Sequence, residues 1–401
     1  LLAPIQHRWV QNRMTLANLS ELELPPARKT TLAKPPSNMS PAAGVSVSYR
    51  RQSVEQANEQ RKSKPAARSW TQILDHYCRP SIARSLSELT VTLVPLALVM
   101  VAAFAAYSFG YWWLSLLLAI PGGALVVRMF LIQHDCGHGS FLPHQSANDW
   151  IGRVIGVLTM TPYDFWQRTH AIHHSTNGNL DRRGIGDVDT LTVREYLARP
   201  FWGRVRYRMY RSPLVMFGFG PAYLFFLQHR LPVGLMRAGW TPWISTQATN
   251  AGLAAVVVAI IWSLGLNAFL FVYVPMMLTA ASIGVWLFYV QHQFEDTFWA
   301  EHRGWSFNEA ALQGSSHYDL PLVLRWLTAN IGIHHVHHLS SKIPFYNLNR
   351  VLREHPALEK INRLSLRDSL NCIPLALWDE ERKRLVSFRT MRRHRREGDA
   401  D

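Results

Sequence analysis

The chain has 401 residues, of which 48% are hydrophobic and 17% are charged, and its formal net charge is +15. This length allows one large domain or two small ones. The three cysteines, Cys78, Cys136 and Cys372, form no CxxC pair, so the sequence gives no sign of a disulfide framework.

The first 68 residues form a basic arm. They are rich in Pro, Ser, Lys, Arg and Gln and contain eleven Lys or Arg against four Glu. Because hydrophobic periodicity is weak there, we predict that residues 1–68 are disordered, and the composition also suits a transit peptide. Residues 69–88 follow as a predicted helical approach to a membrane.

Two long intervals are almost free of charge. Residues 89–131 contain one charged side chain, Arg128, and residues 246–291 contain none. A crossing needs about 20 apolar residues, and each interval is long enough for two crossings with a break in its middle. Soluble helices of this length rarely lack a charged face. We therefore predict an all-α integral membrane protein with two helical hairpins, four transmembrane helices and a cytosolic helical domain.

The distribution of Lys and Arg predicts the orientation. The predicted hairpin turns, near residues 108–112 and 263–267, carry no charge, whereas both termini and residues 133–244 hold nearly all of the 42 Lys and Arg. By the positive-inside rule, both termini and the central segment are expected at the cytoplasmic side. Anionic lipid headgroups then account for the net charge, and no nucleic-acid partner is expected.

The end of the chain is also basic. Residues 371–401 include the run RRHRR. We take residues 371–401 as a basic tail and predict that its part from about Asp379 onward is solvated or faces lipid headgroups.

Histidines cluster at three places beside the predicted spans. The segment HDCGH follows the second span, and HAIHH and HHVHH share the spacing HxxHH. A further histidine in QHQFED follows the last span. Residues three and four apart share a helical face, so each cluster can direct two or three ring nitrogens at one point. The nine candidates are His134, His138, His170, His173, His174, His292, His334, His337 and His338.

Nine imidazoles exceed what one metal ion can use, but they suit two ions with four or five ligands each. Neutral imidazole binds Zn, Cu, Fe or Ni, so ligand type alone does not identify the metal. The segment HDCGH differs from the HExxH motif of zinc peptidases because Asp135 replaces the Glu that acts as general base. A peptidase would also leave the other two clusters unexplained.

Several neighbouring residues are candidates for supporting roles. His335 lies about a quarter-turn from His334 on a helix, so we place it outside the ligand set. Asp135, Asp187 and Asp189 are candidates to accept the outer N–H of a ligand histidine, which would fix its tautomer. His317 is a further candidate for the surroundings of the site.

The quoted segments extend to a longer pattern. HDCGHGSF, WQRTHAIHHSTNGNLDRRG, QHQFED and NIGIHHVHHLSSKIPFY resemble the membrane fatty acid desaturases, most closely the delta-12 (omega-6) branch. The resemblance covers about residues 69–370, which we take as the desaturase domain between the basic arm and the 371–401 tail. It implies two iron ions held by the nine histidines, four transmembrane helices and a bent apolar tunnel for an acyl chain.

The resemblance also bears on partners. Some relatives carry a fused cytochrome b5 domain with an HPGG motif, whereas this chain has only His355 and Pro356, followed by Ala357. We therefore expect a separate electron donor, a ferredoxin or a cytochrome b5-like carrier. The substrate implied is an acyl-lipid or an acyl-thioester.

An alkyl C–H bond is neither acidic nor polarised, so a redox metal is required and zinc would fail. We predict O₂-dependent formation of a cis double bond in a long acyl chain. A histidine-rich diiron hydroxylase, an acetylenase and a carotenoid ketolase share the same histidine clusters and stay open as alternatives. A membrane metal carrier would place ionisable side chains inside its spans, and these spans almost lack them.

Overall fold

A computed structural model describes residues 70–398. The predicted N-terminal arm, residues 1–68, lies outside the described residues. The first part of the described chain contains α1 (Trp70–Leu74), α2 (Ile82–Ser108), α3 (Trp112–His138), α4 (Gln145–Leu158), α5 (Tyr163–Thr176), β1 (Leu191–Thr192), α6 (Val193–Ala198), α7 (Phe201–Tyr210) and α8 (Gly220–Phe226). The predicted helical approach over residues 69–88 is interrupted between α1 and α2.

The second part begins with α9 (Trp240–Leu264) and α10 (Leu266–His292). It continues with α11 (Phe307–Gln313), β2 (His317–Asp319), α12 (Leu322–Leu327), α13 (His334–Leu339), α14 (Phe345–Glu354), α15 (Pro356–Glu359), β3 (Arg363–Ser365), α16 (Leu366–Cys372), β4 (Leu375–Asp379), β5 (Arg384–Ser387) and α17 (Phe388–Gly398). The predicted all-α class is confirmed, with short strands added between the helices.

Four of these helices are long and apolar enough to cross a membrane. The helices α2, α3 and α10 have 27 residues each and α9 has 25, with mean hydropathies between 1.6 and 2.4. At 1.5 Å per residue, each is about 40 Å long, which exceeds the apolar thickness of a bilayer. The breaks at residues 109–111 and at Gly265 confirm the two predicted hairpins.

The charged residue inside the first apolar interval has a partner. Arg128 on α3 is 1% exposed, and its guanidinium forms an ion pair with Glu88 on α2, which is 5% exposed. Its Nε also donates to the Thr92 hydroxyl at 3.0 Å, and its guanidinium lies 4.2 Å from the ring centre of Trp326. A buried charge is tolerated only when it is paired and hydrogen-bonded, and this pair joins the first two spans.

The second and fourth spans approach each other closely. A Cβ added at Gly123 would lie 2.8 Å from Cβ of Thr279 and 2.9 Å from the backbone nitrogen of Ala280. Small residues permit such close backbone approach between membrane helices. The carboxyl ends of α3 and α10 are thereby held near each other.

Two small sheets accompany the helices. Strand β4 lies between β1, which is parallel to it, and β5, which is antiparallel; β2 and β3 form a parallel pair. In the predicted 371–401 tail, Leu377, Trp378 and Leu385 are at most 1% exposed. The region is basic as predicted. Leu377, Val386 and Met391 pack in a core with Tyr196 and Tyr207, whereas residues 381–384 and most of the RRHRR run are exposed.

Candidate metal centre

Four segments carry the nine candidate histidines. Helix α3 ends with His134 and His138, and α10 ends with His292. The HAIHH segment lies in the last turns of α5, and HHVHH forms most of α13. Since the side chains from all four segments meet, the carboxyl ends of α3 and α10 lie at the same end of the spans.

The structure divides the nine histidines into two groups. Within each group, one nitrogen from each ring lies within 4.8 Å of the others. The five-histidine group consists of His134, His138, His170, His174 and His337. The four-histidine group consists of His173, His292, His334 and His338. The structure therefore brings together every residue of the predicted ligand set, whose role as iron ligands stays a prediction.

Each HxxHH segment serves both groups rather than one point, which corrects the sequence-based expectation. On α5, His170 and His174 face the five-histidine group and His173 faces the other. On α13 the allocation is reversed, because His334 and His338 join the four-histidine group and His337 joins the five-histidine group. On a helix, histidines four positions apart point in nearly the same direction, so they join the same group. The histidine three positions after the first points about 60° away from it and joins the other group.

The spacing of the ring nitrogens fits a metal polyhedron. In the four-histidine group, Nε2 of His292 lies 3.1 Å from that of His173 and 3.0 Å from that of His334. In the five-histidine group, Nε2 of His170 lies 3.1 Å from those of both His138 and His174. With metal–nitrogen bonds of about 2.1 Å, ligands at right angles are about 3.0 Å apart and tetrahedral ligands about 3.4 Å apart.

The tautomers also fit a bound cation. Nδ1 of His173 lies 2.5 Å from Oδ1 of Asp187, and Nδ1 of His292 lies 3.3 Å from the Gly314 carbonyl oxygen. Both oxygens can only accept, so each Nδ1 donates and each neutral ring keeps a lone pair on Nε2. These two lone pairs face each other at 3.1 Å, an arrangement that a cation between them stabilises.

The surroundings of the rings keep them in the neutral form that binds a metal. Desolvation, together with the neighbouring imidazoles, lowers the pKa of His170 and His174 well below the usual range. The same causes lower the pKa of His334, His337 and His338. A metal-binding imidazole must be unprotonated, so this environment favours the ligand form at neutral pH.

Two of the three candidate aspartates contact ligand histidines. Asp187 accepts from His173, as described above, and Oδ1 of Asp135 lies 3.3 Å from Nδ1 of His134. The other oxygen of Asp135 accepts from the Phe345 backbone nitrogen at 2.7 Å, which ties the end of α3 to α14. Asp189 instead uses its backbone, donating from its nitrogen to the Tyr210 hydroxyl at 3.1 Å.

A glycine next to Asp187 is needed for this contact. Gly186 has a φ of +75°, and a Cβ there would lie 3.0 Å from the Thr169 carbonyl oxygen and 3.2 Å from Cβ of His173. Only glycine adopts this conformation without strain, and its small size lets the loop approach α5. The carboxylate of Asp187 is thus placed directly behind His173.

His335 and His317 lie outside both groups. Nε2 of His335 donates to the Leu358 carbonyl oxygen at 2.9 Å, and Nδ1 of His317 donates to the Glu359 carbonyl oxygen at 2.7 Å. Burial lowers the pKa of His335 to about 4. The two rings thereby join α15 to α13 and to β2.

The structure adds neighbours that the sequence reasoning did not single out. Trp166 stacks on His170 with ring centres 4.6 Å apart and an interplanar angle of 17°. Because Trp166 lies four residues before His170, helical periodicity could have predicted this contact. The Ser316 carbonyl oxygen accepts from the backbone nitrogens of His334 and His335 at 3.2 and 3.3 Å. Such backbone contacts leave no trace in the sequence.

The arrangement can hold two metal ions side by side. The rings of His174 and His338, one from each group, are stacked with centres 4.1 Å apart and an interplanar angle of 10°. Neutral imidazole is a ligand for redox-active metals such as iron and copper as well as for zinc. A pair of redox-active ions at the end of membrane helices suits oxidation of a lipid rather than hydrolysis.

Comparisons with known proteins agree with this chemistry. A family model described as "Fatty acid desaturase" matches residues 111–367. The chain is 40% identical over 316 residues to a protein named "Fatty acid desaturase" from Bacillus subtilis (strain 168), covering 79% of this chain and 89% of the relative.

Two cyanobacterial proteins from Synechocystis sp. are similar at lower identity. The "sn-1 acyl-lipid omega-3 desaturase (ferredoxin)" is 30% identical over 260 residues, covering 62% of this chain and 68% of the relative. The "sn-1 oleoyl-lipid 12-desaturase" is 26% identical over 245 residues, covering 56% and 64%. With the family match spanning both histidine groups, this chain belongs to the fatty acid desaturase family and is an oxidoreductase.

Proposed function

We propose that the two histidine groups each hold one iron ion and that the enzyme is of the delta-12 (omega-6) type, acting on an acyl-lipid. The observation that carries the metal proposal is the convergence of nine imidazoles in two groups at the ends of membrane helices. Several neighbouring Nε2 atoms in these groups lie only 3.0–3.2 Å apart. When bound, the irons supply the O₂-dependent removal of two hydrogens from adjacent, unactivated carbons.

The protein's own residues prepare the site for this reaction. Asp187 and the Gly314 carbonyl oxygen hold protons on the outer nitrogens of His173 and His292, which fixes the direction of each ring. Asp135 does the same for His134. All members of the four-histidine group are buried, which excludes bulk water from that part of the site.

The relatives support the choice of substrate. One has a name that refers to an oleoyl-lipid and position 12, and another refers to an acyl-lipid and the omega-3 position. Their identities of 26% and 30% are similar, so omega-3 desaturation is a second candidate. Both candidates require an acyl chain that already carries a double bond.

Expression in a host that makes only saturated and monounsaturated lipids tests this proposal. The membrane fatty acids are converted to methyl esters and analysed by gas chromatography with mass spectrometry. A new diene with a double bond at position 12 is expected. A triene that forms only when a diene is fed would select the omega-3 candidate, and hydroxylated chains alone would contradict desaturation.

We also propose that both termini and the histidine groups face the cytoplasm and that a ferredoxin or a cytochrome b5-like protein supplies electrons. The uncharged turns and the basic termini support this orientation. A reporter enzyme active only outside the cytoplasm should work when inserted at residues 109–111 and fail at the C-terminus. The opposite pattern would reverse the orientation.

The donor is identified by reconstitution. The purified enzyme is supplied in turn with reduced ferredoxin and with reduced cytochrome b5, and product formation is measured. Activity with neither carrier, under conditions in which a chemical reductant supports turnover, would contradict this part of the proposal.

A further inference from the structure

Outside the histidine groups, a pocket lies between α7 and α17. It has a volume of about 480 Å³. We call it the arginine pocket, and its lining residues fall into two kinds. The basic ones are Arg204, Arg208, Arg392, Arg395 and Arg396, and the others are Tyr196, Leu197, Phe201, Val205 and Met391.

The basic side chains come from two facing helices. On α7, Arg204 and Arg208 are four residues apart, and on α17, Arg392 and Arg396 are also four apart, so each pair shares a helical face. Arg208 is held in place because its Nε donates to the Tyr196 hydroxyl at 2.6 Å. The pocket walls therefore present guanidinium groups from both sides.

Four of the five arginines that line the pocket have no carboxylate partner within residues 70–398. They are Arg204, Arg208, Arg392 and Arg396. The pocket is lined by no Asp or Glu, and Arg393, which does not line it, pairs with Glu397 at 3.6 Å. Like charges in one concave site repel, and an oxyanion that accepts from several guanidinium groups relieves the repulsion.

The pocket lies near the end of the last span. Immediately after α7, Nη2 of Arg211 donates to the Tyr289 hydroxyl at 3.3 Å, and the ring of Phe217 lies 5.1 Å from that of Tyr289. Tyr289 is three residues before the end of α10. At the start of α7, Phe201 and Trp202 are 63% and 77% exposed. Helix α7 therefore ends next to the last span, and exposed aromatic residues such as those at its start are typical of the membrane interface.

We propose that the arginine pocket binds the phosphate-bearing headgroup of an anionic membrane phospholipid. The guanidinium groups would donate hydrogen bonds to the phosphate oxygens, and the apolar side chains of Leu197, Val205 and Met391 would contact the glycerol and first acyl carbons. A concave pocket of this size fits one headgroup, whereas a protein partner would require a broader surface. This binding is separate from desaturation and does not depend on the metal ions.

The full-length protein, purified in a zwitterionic detergent, tests the proposal by native mass spectrometry with added phosphatidylglycerol or phosphatidylcholine. The wild-type protein should retain phosphatidylglycerol preferentially. The double variant Arg392→Gln, Arg396→Gln should bind it about 30-fold more weakly, since each arginine near an anionic surface contributes about 1 kcal/mol. Arg204→Gln removes a charge from the opposite wall and should weaken binding without altering α17.

A charge-matched control lies on the same helix. Arg389→Gln with Arg393→Gln removes the same charge but changes no residue of the pocket, so its affinity should stay within about threefold of wild type. Equal losses in the pocket and control variants would reduce the effect to surface charge and overturn the proposal. Equal retention of phosphatidylglycerol and phosphatidylcholine by the wild-type protein would also overturn the proposal.

Two competitors test the source of the anion. Inorganic phosphate at millimolar concentration should leave bound phosphatidylglycerol in place, and its complete displacement would instead assign the pocket to a free anion. An acidic polypeptide, polyglutamate, should likewise fail to displace the lipid. Polyglutamate that displaces the lipid from the wild-type protein but does not bind the double variant Arg392→Gln, Arg396→Gln would reassign the arginine pocket to a protein partner.

Discussion

Both histidine groups take rings from α5 and α13, but the two groups differ in enclosure. All four residues of the four-histidine group are buried. In the five-histidine group, His138, His170 and His174 are only half-buried, although the group has one more ring. The five-histidine group is therefore the one that solvent reaches more easily, although it has more rings.

The difference in enclosure has a structural cause. The four-histidine group includes His292 at the end of a membrane helix, with its outer nitrogen against the Gly314 carbonyl oxygen. The five-histidine group is covered on one side by Trp166 and otherwise lies near the exposed Lys342, whose Nζ donates to the His138 carbonyl oxygen at 2.6 Å. We therefore expect exchange of metal and approach of small reagents to occur first at the five-histidine group.

Replacing one ring in each group gives the largest expected effect. His337→Ala in the five-histidine group and His334→Ala in the four-histidine group should each abolish turnover, because the reaction needs both irons. Each variant should also lose about half of the iron, measured by inductively coupled plasma mass spectrometry. Membrane insertion should be unchanged in both. Wild-type activity in either variant would remove that ring from the site.

Replacing the aspartate behind each group comes next. Asp187→Asn should lower activity or iron affinity about 10- to 100-fold, because an amide stabilises the outer N–H of His173 less than a carboxylate does. Asp135→Asn should have a comparable effect through His134. Asp189→Asn is the control, since no ligand histidine contacts Asp189 in the described structure, and it should retain activity. A loss of activity in Asp189→Asn equal to that in Asp187→Asn would contradict the assignment of Asp187 and Asp135 as partners of ligand histidines.

Removal of iron by a chelator compares the accessibility of the two histidine groups. A hydrophilic chelator added to the iron-loaded enzyme in detergent should remove about half of the iron in a fast phase, from the more exposed five-histidine group, and the rest slowly. Iron content is followed against time. In His337→Ala the fast phase should be missing, whereas a single phase in the wild type would mean that the two groups are equally accessible.

Replacing the aromatic neighbours has the smallest expected effect. Trp166→Leu removes the ring stacked on His170, a contact worth about 0.5–1.5 kcal/mol, and should speed the fast phase about 2- to 10-fold. Phe288→Leu removes a ring 5.1 Å from His173 and should change only the slow phase. A change of the same phase by both variants would contradict the division into two groups.

Much of the site could be predicted because its signals are local. The spacing of HAIHH and HHVHH indicated helices with rings on one side, and their positions beside the spans indicated a common end. The allocation of each ring could not be predicted, because it depends on how α5 and α13 are rotated against α3 and α10. His173 and His174 are adjacent in the chain but belong to different groups.

The sequence by itself determined the four spans, the two hairpins and the candidate ligands, because apolar length and helical periodicity are properties of contiguous residues. Only the tertiary structure decided the division into five and four rings, the ion pair between Arg128 and Glu88, and the burial of Leu377, Val386 and Met391 near the end of the chain. Each of these joins residues far apart in the chain, so each depends on which surfaces pack together rather than on any local pattern.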